Sequence, residues 1–146
     1  IGRGRRLRNG DDVALLSIGA IGTEVATAAE KLEIQGVSAA HYDMRFVKPL
    51  DEVLLHQVFS RFKDVITVED GCVQGGMGSA VTEWAMEQGY ASKVVRLGVP
   101  DRYIEHGTQA QLYAECGYDT EAIVAKAVDM VQARGAESAD EGLRIA

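Results

Sequence analysis

Short apolar runs alternate with helical periods along this chain, and this alternation limits the possible folds more than any other feature of the sequence. Residues 13–18 form a nearly continuous apolar run, VALLSI, that ends at Gly19. Such a run is typical of a strand buried on both faces, as in parallel sheets covered by helices. Over residues 21–32 the apolar side chains recur three or four positions apart, which predicts a helix, and Gly36 stands where its cap belongs.

The same alternation continues to the end of the chain. Residues 37–42, 65–68 and 93–97 are the further predicted strands. Asp51 is predicted to cap a helix, Thr108 to begin a short helix that Gly117 ends, and Asp119 or Thr120 to begin the last helix. Parallel neighbours need crossover helices. The pattern therefore predicts an α/β fold, a three-layer α/β/α sandwich around a mostly parallel sheet.

The length of 146 residues fits one domain of ordinary size. We expect residues 1–12 to be a linker from an upstream domain, residues 13–134 to form the domain, and residues 135–146 to be a polar, frayed tail. The chain begins at Ile1 with no initiator Met, which suggests a fragment of a longer polypeptide.

Charge and composition limit the partners. The net charge is −7, which argues against a nucleic-acid partner, since phosphate binding needs a positive surface. The basic cluster at Arg3, Arg5, Arg6 and Arg8 is either a basic arm or a solvated linker or strand edge. No apolar run reaches the ~18 residues of a membrane span, so no membrane partner is expected. Cys72 and Cys116 match no metal-binding spacing and are expected to be reduced thiols of a cytoplasmic protein.

Two glycine-rich segments follow predicted strands and open predicted helices. At Gly75, Gly76 and Gly78 the alternatives are phosphate binding at a helix N-terminus and glycines that let the helix approach the sheet closely. The second alternative is favoured, because the segment fits no nucleotide-binding fingerprint and Glu69 and Asp70 just before it would repel phosphate. The other segment, residues 19–22, lacks the third glycine of a dinucleotide fingerprint.

Polar residues concentrate after the predicted strands. Four carboxylates lie there, namely Asp43, Glu69, Asp70 and Asp101, interleaved with Arg45, Lys48 and Arg102. They could bind a metal or share a proton, but salt-bridged loops that face another domain explain the mixture equally well. His106 lies in a polar loop, and His41 and His56 are scattered elsewhere. No complete set of nucleophile, base and orienting group is present, so the residues alone identify no catalytic site.

Three segments, DMRFVKPLD at 43–51, TVED with GGMGSAV at 67–81, and LGVPDRYIEHG at 97–107, resemble the last domain of the 1-deoxy-D-xylulose-5-phosphate synthases, a family of transketolase-like enzymes. The opening GDDVA at 10–14 is also similar to the family's entry into this domain. The resemblance spans residues 8–131, nearly the whole chain, with the segments in the family's order. It implies a transketolase C-terminal-domain-like fold.

The resemblance implies a parent enzyme that is a homodimer and uses thiamine diphosphate and magnesium. Such a transferase joins pyruvate, with loss of CO2, to glyceraldehyde 3-phosphate, and its product feeds isoprenoid, thiamine and pyridoxal synthesis. In the family the cofactor binds to upstream domains, so the resemblance implies no catalytic, cofactor-binding or metal-binding residue here. This domain is expected to support packing and dimerisation and to be inactive alone. The candidate inter-domain contacts are Arg45, Lys48, Glu69, Asp70, Arg102 and His106. The alternative is a regulatory module that binds a nucleotide or another small molecule.

Overall fold

The computed structural model describes residues 1–145, which form five strands and five helices. In chain order the strands are β1 (Arg5–Arg8), β2 (Val13–Ile18), β3 (Ala39–Asp43), β4 (Asp64–Cys72) and β5 (Lys93–Val99). The helices are α1 (Gly22–Ile34), α2 (Glu52–Arg61), α3 (Met77–Glu87), α4 (Gln109–Cys116) and α5 (Thr120–Ile145). Within these residues no helix is both long enough and apolar enough to cross a membrane.

The five strands form one sheet in the order β1-β3-β2-β4-β5. The pairs β3–β2, β2–β4 and β4–β5 are parallel, and β1 alone runs antiparallel, at the edge beside β3. Because four strands point the same way, their carboxyl ends meet at one edge of the sheet, which we call the carboxyl edge. Loops at this edge of parallel sheets commonly carry functional residues.

Two apolar clusters lie on opposite faces of the sheet, as expected of a strand run that is buried on both sides. Within β2, Val13 and Leu15 belong to the cluster beneath α1, α4 and α5, whereas Ala14 and Leu16 belong to the cluster beneath α2 and α3. All four side chains are completely buried. The predicted three-layer α/β/α sandwich with a mostly parallel sheet is therefore confirmed.

Most predicted helix ends are confirmed by their hydrogen bonds. The Asp51 carboxylate accepts from the backbone N–H of Leu54 at 3.0 Å and begins α2. Thr108 begins α4 through a reciprocal pair of bonds with Gln111, and Gly117 ends it in a left-handed conformation, with φ of +74°. These caps are local in sequence, which is why they could be predicted.

Both ends of the chain differ from the expected secondary structure. Residues 5–8, within the expected linker, form β1, which pairs with the otherwise free edge of β3. Residues from Gly135 to Ile145, within the expected frayed tail, continue α5 as an exposed helix. Apolar periodicity could not indicate either element, because residues 5–7 are exposed and every described residue from Gly135 onward is exposed as well.

Candidate docking surface at the carboxyl edge

The four basic residues predicted as contacts all follow carboxyl ends of parallel strands and are exposed. Arg45 and Lys48 lie after β3, and Arg102 and His106 lie in the segment after β5 that has no regular structure. Arg45 adopts a left-handed backbone conformation, with φ of +60°. Such a conformation is uncommon for residues other than glycine and is found more often where a side chain serves a function.

Glu69 differs from the other predicted contacts because it is buried and both of its carboxylate oxygens accept hydrogen bonds from backbone N–H groups of this chain. Its carboxylate accepts from the backbone N–H groups of Met77 at 2.8 Å and of Gly78 at 2.9 Å. Glu69 therefore caps α3 from the neighbouring strand and adds a negative charge where the helix dipole favours one. A phosphate at this helix end would have to displace a bound carboxylate, so the structure disfavours phosphate binding there.

The glycines of this loop serve two different geometric needs. A Cβ at Gly76 would collide with the Glu69 carboxylate, and one at Gly78 would collide with the buried hydroxyl of Thr67. Gly75 has open space around it but a φ of +77°, which favours glycine for its backbone rather than for close packing. The loop is further held by the Ser79 hydroxyl, which accepts from the Gly75 N–H at 3.0 Å.

Asp70 lies beside the cap but faces the opposite layer of the fold. One carboxylate oxygen accepts from the Tyr113 hydroxyl and the other from the Tyr118 hydroxyl, each at 2.9 Å. The two rings lie 4.9 Å apart. Burial raises the pKa of both tyrosines, and the hydrogen bond to Asp70 and its charge raise it further, so both hydroxyls stay protonated as donors at neutral pH.

No local sequence pattern indicates the tyrosine partners of Asp70. They lie 43 and 48 residues further along the chain, where each resembles an ordinary core aromatic. An open cavity of about 390 Å³ adjoins Asp70 and these tyrosines, at the end of β5 and beside α4. We call it the tyrosine–carboxylate cavity, and Val99, Ile104 and Leu112 supply its apolar walls.

The carboxylates at this edge do not converge on a metal site. Asp43 pairs with Arg5 of β1 at 3.1 Å, while Asp101 is exposed. Within residues 1–145 no group of three histidine, cysteine or carboxylate side chains could hold a metal ion. Of the two alternatives for Asp43, Glu69, Asp70 and Asp101, the structure favours separate local environments over a shared cluster.

Two of the histidines lie outside the exposed loops and form hydrogen bonds with side chains of the same chain. His41 is buried, and its Nε2 lies 2.8 Å from the Ser17 hydroxyl. Burial lowers the pKa of His41 from 6.5 to about 4, although the Asp43 carboxylate acts in the opposite direction. His56 lies exposed on α2, where its Nδ1 is 2.7 Å from the Tyr90 hydroxyl.

Comparison with known families agrees with this architecture. The family described as "Transketolase, C-terminal domain" matches residues 2–123. A 1-deoxy-D-xylulose-5-phosphate synthase of Cytophaga hutchinsonii is 57% identical over 123 residues, which are 84% of this chain and 19% of that protein. One of Parabacteroides distasonis is 53% identical over 123 residues, covering 84% of this chain and 20% of the relative. The chain thus spans about one fifth of the length of these relatives.

A solved structure has the same fold. The chain described as "Split gene transketolase, inactive beta4 tetramer" superimposes with a TM-score of 0.83 and is 34% identical in sequence. The match covers 90% of this chain and 43% of that one. The parallel sheet and its carboxyl edge therefore belong to an architecture also found within a larger transketolase chain.

Proposed function

Since this chain belongs to the transketolase C-terminal domain family, we propose that it is the last domain of a 1-deoxy-D-xylulose-5-phosphate synthase. The observation that carries the proposal is the 57% identity over 123 residues to a synthase of that name. The parent enzyme would be a transferase that decarboxylates pyruvate and joins the two-carbon unit to glyceraldehyde 3-phosphate. It would act in the cytoplasm as a homodimer and supply precursors of isoprenoids and thiamine.

In this proposal the domain itself is supportive rather than catalytic. It stabilises the packing of the upstream domains and contributes to the dimer interface through its carboxyl edge. Arg45, Lys48, Arg102 and His106 are the proposed inter-domain contacts, because their side chains are exposed at this edge. Glu69 contributes indirectly by fixing the start of α3, since both of its oxygens are hydrogen-bonded within the chain.

Thiamine diphosphate and magnesium, which the family implies for the parent, do not fit the residues of this domain. The glycine loop at α3 already holds the Glu69 carboxylate, which would repel a diphosphate. The described carboxylates and histidines do not form a group suited to a metal ion. These observations support the proposal that the cofactor binds to the upstream domains of the parent. The similar solved structure is described as an inactive tetramer, which agrees with a domain that needs partners for activity.

An activity assay tests the proposal directly. Pyruvate, glyceraldehyde 3-phosphate, thiamine diphosphate and magnesium would be supplied to this chain alone, to the full-length parent, and to the upstream domains with and without this chain. We expect product from the parent, none from this chain, and restored activity when the two parts are mixed. Product from this chain alone would refute the supportive role, and a parent without synthase activity would refute the assignment.

A further inference from the structure

The tyrosine–carboxylate cavity contains a negative charge that the described part of the chain does not neutralise. None of the ion pairs among residues 1–145 includes Asp70. Two cations of neighbouring segments, in β5 and directly after it, have other partners. Arg102 pairs with Glu115 at 3.1 Å, and Arg96 donates to the Ser79 hydroxyl at 2.7 Å and to the Val73 carbonyl at 3.2 Å.

The tyrosine hydroxyls orient this charge without neutralising it. Tyr113 and Tyr118 each donate one hydrogen bond, one to each oxygen of the Asp70 carboxylate. A carboxylate offers about four acceptor positions, so about two remain for a further donor. The tyrosine rings also border the cavity, and the face of an aromatic ring attracts cations within about 6 Å. The polar end of the cavity is therefore suited to an organic cation.

The rest of the cavity is suited to an apolar stem. Val99, Ile104 and Leu112 line it, and its volume of about 390 Å³ is within the usual range of binding pockets, ~300–1,000 Å³. Lysine and arginine bury their aliphatic stems along apolar surfaces while their charged ends bind acceptors. Such a side chain matches both ends of the cavity at once.

We propose that the tyrosine–carboxylate cavity receives a lysine or arginine side chain from an upstream domain of the parent enzyme. The inference rests on the proposed function, because the cavity opens at the same edge of the sheet as the proposed inter-domain contacts. This chain represents only 19–20% of the length of the two synthases compared above, so most of such a polypeptide lies outside it and can supply the side chain. The basic side chain would anchor the domain at this edge, where the free charge of Asp70 selects a cation.

Photo-crosslinking in the full-length parent tests the proposal. A benzoylphenylalanine placed at Gln109, which lines the cavity and is exposed, would report what lies at its opening. A second probe at Lys48 would report docking of the carboxyl edge away from the cavity. We expect the probe at position 109 to form an adduct with an upstream peptide that contains lysine or arginine.

Two variants show whether the adduct depends on the cavity. Asp70→Asn removes the charge, and Leu112→Trp fills the cavity without altering Asp70; each is expected to reduce the adduct at position 109 at least fivefold. Asp101→Asn, an exposed carboxylate at the same edge, should leave it unchanged. Thermal unfolding of each variant shows whether it is folded. If Asp70→Asn does not fold, the result for Leu112→Trp alone tests the cavity.

The outcomes separate this inference from the proposed function. The proposal that a basic side chain occupies the cavity is wrong if the adduct at position 109 contains no basic residue. It is also wrong if both variants fold and leave that adduct intact. If the probe at position 48 still forms an upstream adduct in that case, docking of the edge stands. If neither probe forms an upstream adduct, both the docking role and the cavity assignment are wrong.

Discussion

At the scale of single residues, Glu69 shows how one side chain can decide between two uses of a helix end. Helix N-termini attract anions because their first N–H groups lack partners within the helix. In this protein a carboxylate of the same chain satisfies two of those groups and is itself 6% exposed. The glycine-rich loop therefore has a structural role, which is to connect β4 to α3 with the first N–H groups of the helix already hydrogen-bonded.

Glu69→Ala should destabilise the fold. The substitution leaves two buried N–H donors without an acceptor, each of which costs about 1–3 kcal/mol, so we expect a loss of about 2–6 kcal/mol in the free energy of unfolding. Glu69→Gln retains one acceptor and should cost less. Urea denaturation measures both, with Glu83→Ala on the exposed face of α3 as the control, expected within about 0.5 kcal/mol of the parent chain.

His41 should make the stability depend on pH. Its pKa falls from 6.5 to about 4 on folding, so between these values the unfolded chain binds more protons and acidification favours unfolding. The contribution is complete above pH 6.5 and is lost as the pH falls towards 4, by about 3 kcal/mol at ~1.4 kcal/mol per pKa unit.

Chemical denaturation at a series of pH values checks the role of His41. In His41→Gln the slope between pH 6.5 and pH 4 should be smaller than in the unaltered chain, because this proton uptake is gone. The carboxyl groups of the protein are the same in both chains, so their titration cancels in the comparison. Parallel stability curves for the two chains would show that His41 does not cause the dependence.

At the scale of elements, α5 is held to the sheet by a charge pair at its middle. Arg134 lies 3.2 Å from Asp64, a buried residue at the start of β4, and also donates to the Asp12 carbonyl at 3.0 Å. Burial raises the pKa of Asp64, while Arg134 and Lys93 act to lower it. The pair therefore offsets part of the free energy that burial of this carboxylate costs.

Arg134→Ala should lower the stability by about 2 kcal/mol, because it leaves the charge of a buried carboxylate without its paired cation. Arg144→Ala is the matched control on the same helix, since Arg144 pairs with the exposed Asp140 and such pairs contribute about 0–1 kcal/mol. Thermal unfolding of the two variants compares them. Equal effects would mean that the Asp64 pair does not hold the helix.

The elements that the sequence could predict are those specified by neighbouring residues. The strand of residues 13–18, the caps at Asp51 and Thr108 and the end at Gly117 are set by local patterns, and the structure confirms them. β1 could not be predicted, because its pairing depends on β3, more than 30 residues away. Likewise the tyrosine partners of Asp70 lie 43 and 48 residues away. The Glu69 cap spans only eight or nine residues, but it depends on the conformation of the glycine loop between β4 and α3, which apolar periodicity does not indicate.

At the scale of the whole molecule, reversing charge at the carboxyl edge should weaken assembly with the upstream domains. In Arg45→Glu/Lys48→Glu two exposed cations become anions, which should raise the concentration of this chain needed to restore activity at least tenfold. Lys63→Glu, at the opposite end of the sheet between α2 and β4, should leave that concentration unchanged. Titration of this chain into the upstream domains measures both.

The antiparallel strand β1 also affects how copies of the protein meet in solution. Exposed edge strands are templates for aggregation, and charged side chains on such strands suppress it. β1 carries three arginines, and it covers the edge of β3, which is almost fully buried. Two copies approaching along this strand would bring arginines against arginines, so this edge resists sheet extension into fibrils although the molecule as a whole is acidic.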